Sequence, residues 1–451
     1  MHTNATKIAQ IICGKGYLWN KFGIYHFLFL AGLLFSLHIV YLSYQSVEKI
    51  AANDNGNIAN AILELPSLCT YNTGIFLAKC TSKADVKPIE DIGCGDLGYP
   101  LLANIITYLR VKNLPLTKAD LVRINIWLNW IGLIFLAFAL IVADLKWTPI
   151  LTVFVGAHYF MRKENLTADY YSSFFGIFCI ALAGVILFAL AHKKNPINCK
   201  VYFAMAFLSF IAALLLREPM GYIGMIGALF ILLINFIKEK TKWPHKFLKA
   251  CILGLMIYSI TLVPLALTTA RTLLWNVPKG KLIPKHGISY TLIMGFGTIP
   301  NSWGITRSDE TTRVIARNVD PDFVTYSTKH FDILRSVYTK MIIEKPMEML
   351  HIYRTMLSRV LTTQTKIKSY YFYILLLSLL ILLGAVRLKG QSKIYFWIVA
   401  SLGICCLLAL AQGVLAGVYY AQTAEVGFIV SILMSLEIFM QNIAGKYAYK
   451  F

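Results

Sequence analysis

Three charged residues stand where this chain could do chemistry. Asp54 lies in Asn53-Asp54-Asn55-Gly56, shortly after an apolar run over 23–44. Asp169 lies in Asn165-Leu-Thr-Ala-Asp-Tyr-Tyr-Ser, at the start of another apolar run over 170–191. Arg217 follows an unbroken apolar run and stands beside Glu218 and Pro219. Charge placed close to lipid is costly and tends to mark function. Two carboxylates in one cavity could divide proton transfer between them or hold a divalent cation. A guanidinium stays charged and grips phosphate oxygens in pairs. Each residue also has a plainer reading. Asp54 and Asp169 are good helix caps, and Arg217 could simply pair with Glu218.

The elements that must position these residues are membrane helices. Of 451 residues, 57% are hydrophobic and 14% are charged, against roughly 25% charged in soluble domains. Mean hydropathy is +0.63. A spanning helix needs about 20 mostly apolar residues. The apolar runs predict about ten spans, near 23–44, 124–143, 148–160, 170–191, 201–216, 220–237, 250–269, 369–386, 394–415 and 421–443. The third is short enough to be broken or tilted. The expected fold is an all-α polytopic membrane protein, one integral domain over 1–451. The first run lacks a small-residue cleavage site and reads as a retained span. Glu425 and Glu437 are the main charges inside the runs.

Charge placement sets the expected topology. The net charge of +21 could suggest nucleic acid, but its distribution argues against that partner. Segments 1–22, 144–147, 192–200, 238–249, 387–393 and 444–451 carry 17 Lys/Arg against Asp144 and Glu239. This positive-inside pattern puts both termini in the cytoplasm. Two long segments, 45–123 and 271–368, then fall outside. The second has 15 basic and 7 acidic residues, suited to anionic lipid or a phosphate-bearing substrate.

In the first outer segment, Ile58, Ala61, Ile62 and Leu65 recur at helical spacing, which reads as a short amphipathic helix in the interface. Asp54 stands at its start and Pro66 ends it. Cys69, Cys80 and Cys94 share this segment, so at most one disulfide forms there and its pairing stays open. In the second, a helix is expected over 331–343. Another starts at Pro346 with an apolar stripe of Leu350, Tyr353, Leu357 and Leu361. No P-loop, GxSxG elbow, HExxH helix or dinucleotide fingerprint is present. No His/Cys zinc spacing occurs either.

Several of these features together resemble the GT-C superfamily of membrane glycosyltransferases. An acidic residue follows the first span, then come a juxtamembrane helix and Gly98-Tyr-Pro-Leu-Leu102. A second acidic residue stands outside the short third span. Gly295-Phe-Gly-Thr-Ile-Pro-Asn-Ser-Trp-Gly-Ile305 with Ser308-Asp309 looks like a block of uncharacterised bacterial members. The superfamily includes protein O-mannosyltransferases and enzymes that modify lipid A or its core. The resemblance implies inverting transfer of a sugar from a polyprenyl-phosphate donor to a lipid, glycan or protein acceptor. The reaction would occur at the outer face of a bacterial inner membrane. It implies Asp54 as general base, with Asp169 in the second acidic position. Arg217 would meet the donor phosphate, and Asp54 and Asp169 could hold a divalent cation such as Mg or Mn. Two other functions fit many spans. One is a lipid-linked-sugar flippase or small-solute transporter. The other is a surface-polysaccharide polymerase or ligase, for which His286, His330 and His351 lie in the second outer segment.

Overall fold

Long apolar runs with few breakers fold as helices because only helices satisfy every backbone donor and acceptor without water. A computed structural model describes residues 23–53, 59–80, 85–92, 96–110, 115–161, 165–192, 196–238, 243–280, 288–362, 369–388, 392–416 and 418–448. Among these, seven helical stretches are long and apolar enough to cross a membrane. The first is α1 (Ile24–Tyr44). After α2 (Val47–Ala52), α3 (Leu65–Thr73) and α4 (Gly98–Leu109) comes α5 (Lys118–Val142). Past α6 (Trp147–Phe160) lie α7 (Phe174–Ala191), α8 (Pro196–Leu216) and α9 (Glu218–Lys238). Then α10 (Trp243–Ile260) and α11 (Val263–Trp275) form a pair bent by 53°. Counted as one span, that pair makes eight. Pro264 has no N–H for the ladder and accounts for the bend. Segment 271–368 contributes α12 (Ile288–Phe296), α13 (Asp309–Val319), α14 (Thr328–Glu344) and α15 (Pro346–Thr362). The chain closes on α16 (Tyr370–Arg387), α17 (Ser392–Ala416) and α18 (Val418–Ala448).

The chain is thus a polytopic helical protein, as composition implied, and each of the ten apolar runs contains a helix. Two helices fall short of a span. α6 has 14 residues, about 21 Å at 1.5 Å per residue, and α16 has 18. A small departure from all-α is the antiparallel pair β1 (Ala78–Cys80) and β2 (Val86–Pro88), with Ala78 opposite Pro88.

α7 is the centre of the bundle. Every residue in it is buried, as expected for a helix that is apolar all round. It packs on α5, α8, α9, α17 and α18. Glycine permits the closest approach: a Cβ on Gly132 of α5 would stand 2.1 Å from the Gly176 carbonyl oxygen. Asn129 of α5 then ties the start of α7, donating to the Ser172 carbonyl at 2.7 Å and accepting from the Gly176 N–H at 2.9 Å. The two buried span carboxylates also have partners. Glu437 accepts from the backbone N–H groups of Lys146, Trp147 and Thr148 and so caps α6. Glu425 accepts from the Tyr373 hydroxyl at 3.0 Å.

Two local expectations need correction. Pro66 does not end the helix before it. A π-helical turn over Asn60–Glu64 runs directly into α3, where Pro66 occupies the first turn and needs no N–H partner. Ala59, Ile62 and Leu63 are buried against Tyr99, Ala103, Leu121 and Ile124. This segment therefore packs on α4 and α5. On α15 the buried stripe is Met349, Ile352, Met356 and Val360, while Leu350 and Leu357 are exposed. Of the stripe read from the sequence, Tyr353 and Leu361 pack against the cores, so apolar residues occupy both faces of α15.

Segment 271–368 has its own core, built by Tyr290, Ile293, Phe296, Phe331, Leu334 and Met341 with the α15 stripe. His330 is buried there. Its Nδ1 accepts from the Tyr326 N–H at 3.0 Å, so the ring is neutral at that atom. Burial, aided by the nearby Arg313 charge, lowers its affinity for a proton. The unfolded chain therefore binds that proton more readily than the fold does. Stability of this segment is full above the free side chain's pKa of about 6.5 and falls as pH drops through it. Hydrogen exchange of α13–α14 in detergent should show less protection at about pH 5.5 than at about pH 7.5, and His330→Gln should flatten that difference.

Candidate functional site

The site is built on the turn before α4. Asp96 is buried, and one oxygen accepts from Arg217 Nη1 at 2.5 Å. The other accepts from the Glu218 backbone N–H at 3.0 Å. Glu218 is the first residue of α9, so Asp96 serves as its cap from a distant part of the chain. An anion at a helix N-terminus is favoured by the orphan N–H groups and the dipole. Gly98 lets the turn come this close. A Cβ there would lie 2.7 Å from the backbone of Leu215 and Leu216, at the end of α8.

Arg217 is enclosed on every side. Its Nε donates to the Tyr420 hydroxyl at 2.6 Å, and Nη2 reaches the same oxygen. The ring centres of Tyr170, Phe174 and Tyr420 stand 5.1, 5.1 and 5.3 Å from the guanidinium carbon, within cation–π range. Tyr99 fastens the neighbouring wall. Its hydroxyl donates to Asn125 Oδ1 at 2.8 Å and meets Ser173 Oγ. Asn125 Nδ2 in turn donates to the Asp169 carbonyl at 2.7 Å. Burial pushes the Tyr99 phenol up, so it remains a donor.

These contacts border a cavity of about 160 Å³ at one end of the bundle. The bundle supplies Tyr170, Tyr171, Arg217, Glu218, Gln412 and Tyr420, and the Asp96 turn completes that side. The second outer segment supplies Tyr290, Thr291, Met294 and Arg307. The Tyr290 hydroxyl donates to Asp309 at 2.5 Å. Burial and this acceptor raise its pKa, so the bond persists at neutral pH. Gly297 brings the following loop in, since a Cβ would lie 2.3 Å from the Thr306 carbonyl carbon.

A second buried ion pair anchors segment 45–123, which also carries Asp96. Arg271 of α11 meets Glu90 through both guanidinium ends, with Nη2 to Oε1 at 3.0 Å. It also donates to the carbonyls of Leu77 and Pro278. Asn104 ties β1 to α3, accepting from the Leu77 N–H and donating to the Pro66 carbonyl and Thr70. Cys69 and Cys80 form a disulfide across this unit. Cys94 lies outside the described residues.

The three sequence candidates are placed differently. Arg217 lines the cavity, paired with Asp96. Asp169 accepts from the Tyr171 N–H at 3.2 Å, as a cap does. Its neighbours Tyr170 and Tyr171 line the cavity, whereas its own side chain is not among the lining groups. Asp54 lies outside the described residues, as does His286. His330 packs in the outer core, and His351 is exposed on α15. Among the described residues no three His, Cys, Asp or Glu side chains converge as a metal site. Sequence reading passed over Asp96, although it opens the Gly98-Tyr-Pro segment that drew attention. Tyr420, Gln412, Tyr290 and Arg307 gave no local signal.

Gly98→Ala tests the close approach with a definite sign. Helix propensity alone favours Ala by up to about 1 kcal/mol. Here the added methyl meets backbone that cannot step aside. We expect a net loss of about 1–3 kcal/mol, read as a lower unfolding temperature in detergent. An unchanged or raised temperature would contradict the packing.

Compared with protein-family models, with curated proteins and with solved structures, the chain matches none.

Proposed function

We propose that this chain is a GT-C-like membrane glycosyltransferase that moves one sugar from a polyprenyl-phosphate donor to a cell-envelope acceptor, with inversion. The observation that carries the proposal is the cavity between the bundle end and the second outer segment. At about 160 Å³ it is smaller than the roughly 300–1,000 Å³ of drug-sized ligand sites, which suits one sugar ring. Four tyrosines offer flat apolar faces and hydroxyls to such a ring, and Gln412 adds an amide.

The two arginines contribute differently. Arg217 already gives Nε, Nη1 and Nη2 to Tyr420 and Asp96, so it acts as a fixed positive charge. Arg307 comes from the outer segment and is the more exposed of the two. It suits the phosphate that gains charge as the glycosidic bond breaks. In this reading α6 and α16 are short spans and α10–α11 is one broken span, giving ten. Both termini are cytoplasmic, and the cavity opens on the outer face of a bacterial inner membrane. The exposed apolar side chains of α10 and α11, Leu255, Tyr258 and Leu265 among them, face lipid, where a polyprenyl tail lies. Asp54 keeps the base role that the resemblance gives it. If a divalent cation binds, it adds charge stabilisation of the leaving phosphate.

The test supplies radiolabelled mannosyl, glucosyl and galactosyl polyprenyl phosphates in turn to membranes containing the chain. Label should move into envelope lipid or glycan above the level of host membranes. Arg307→Ala should cut transfer at least about tenfold, mainly through kcat. Donor carried across the membrane chemically unchanged would instead support a flippase or transporter.

A further inference from the structure

Helices α4 and α11 are inside out. α4 buries Asn104 and Thr107 with Ala103, and turns Ile105, Tyr108 and Leu109 outward. α11 buries Thr268 and Arg271, and exposes Leu265, Leu273 and Leu274. A helix that borders water shows the reverse order, apolar side in and polar side out. Polar groups turned inward with apolar groups outward are the pattern of a helix beside lipid. In α11 this follows from its place, because it continues the span-length pair that begins with α10. In α4 it does not. That helix has 12 residues, too few to span, and it belongs to segment 45–123, between the apolar runs.

The two helices present one surface. The Phe76 ring bridges them, 5.9 Å from the Tyr108 ring and 5.8 Å from Trp275, nearly parallel to the indole. Val263 and Leu267 of α11 pack with Leu77, Leu97 and Leu101 of the segment. The Arg271–Glu90 pair pins α11 to the same segment. Tyr108 and Leu109 are 66% and 71% exposed, and Leu273 and Leu274 77% and 70%. None of these residues lines the cavity. A patch of this kind marks a contact with protein or with membrane. Its continuity with the exposed Leu255, Tyr258 and Leu262 of α10 selects membrane. Trp275 closes α11, and Trp and Tyr at the end of a span hold the headgroup level, where one part of the ring is dry and its polar tip wet.

We infer that the joint surface of α4 and α11, centred on Phe76, Tyr108 and Trp275, docks into the headgroup boundary of the bilayer. Segment 45–123 then rests in the membrane surface instead of standing in water. This role is independent of the transferase reading, since the surface stands apart from the cavity. It bears on the cavity all the same. α4 starts at Gly98, beside the Asp96 turn, so a docked α4 sets the height of that wall above the lipid.

The full chain is reconstituted in vesicles of phosphatidylethanolamine and phosphatidylglycerol. The emission of Trp275 is taken as the difference between wild type and Trp275→Phe. Replacing the lipids by ones whose acyl chains are brominated near the headgroup should quench most of that difference. An undiminished difference would put Trp275 away from lipid and overturn the docking. A photo-crosslinking benzoylphenylalanine at position 108, and separately at 274, reads the same surface with the tryptophan intact. Irradiation should give phospholipid adducts at both positions. Adducts to a second copy of the chain in place of lipid, or no lipid adduct at either position, would equally contradict it.

Discussion

Two opposite charges with little access to water hold this architecture together. Asp96 and Arg217 are each 8% exposed, and either one alone would be an uncompensated charge largely out of water. Removing one partner of such a buried pair typically costs about 3–5 kcal/mol, because the other is left uncompensated. The pair joins the first outer segment to the junction between α8 and α9. Through Tyr420 it reaches the junction of α17 and α18, and through Tyr170 and Phe174 the start of α7. Glu90 and Arg271 repeat the device with α11. In both pairs the carboxylate comes from segment 45–123, while Arg217 stands at the α8–α9 junction and Arg271 on α11. That segment is therefore fastened at two points, with the disulfide and Asn104 bracing it internally.

This arrangement also explains how charge is divided in the cavity. A lone arginine at the end of an apolar run suggests a phosphate clamp. Once Asp96 and Tyr420 occupy its edges, Arg217 becomes a structural cation whose positive field still reaches the cavity. Glu218 lines the cavity on one side and Arg307 on the other. Within segment 271–368, the Tyr290–Asp309 bond and the Gly297 contact fix the loop that carries Arg307.

The helices were legible because burial in lipid or in a bundle demands long apolar runs, and such runs are visible residue by residue. Arg217 could be singled out because a cation that ends an unbroken apolar run is conspicuous. Asp96 could not be singled out in the same way. Its partner is distant in sequence, and nothing local separates it from the other seven acidic residues of 45–123. Gly98 and Gly132 matter through the backbones they meet, which only the folded chain reveals. Pro66 misled for the same reason: a proline can open the next helix instead of ending the last one. Asp169 shows cap geometry while its neighbours reach the cavity, a distinction finer than sequence spacing can draw.

The central claim is that Asp96 and Arg217 are energetically one unit. A double-mutant cycle with Asp96→Asn, Arg217→Gln and the combined variant, read by unfolding in detergent, measures this most directly. The account predicts strong coupling, with the double variant less destabilised than the sum of the singles by about 1.5 kcal/mol or more. Additivity to within about 0.5 kcal/mol would mean that the two charges do not depend on each other, and would contradict it.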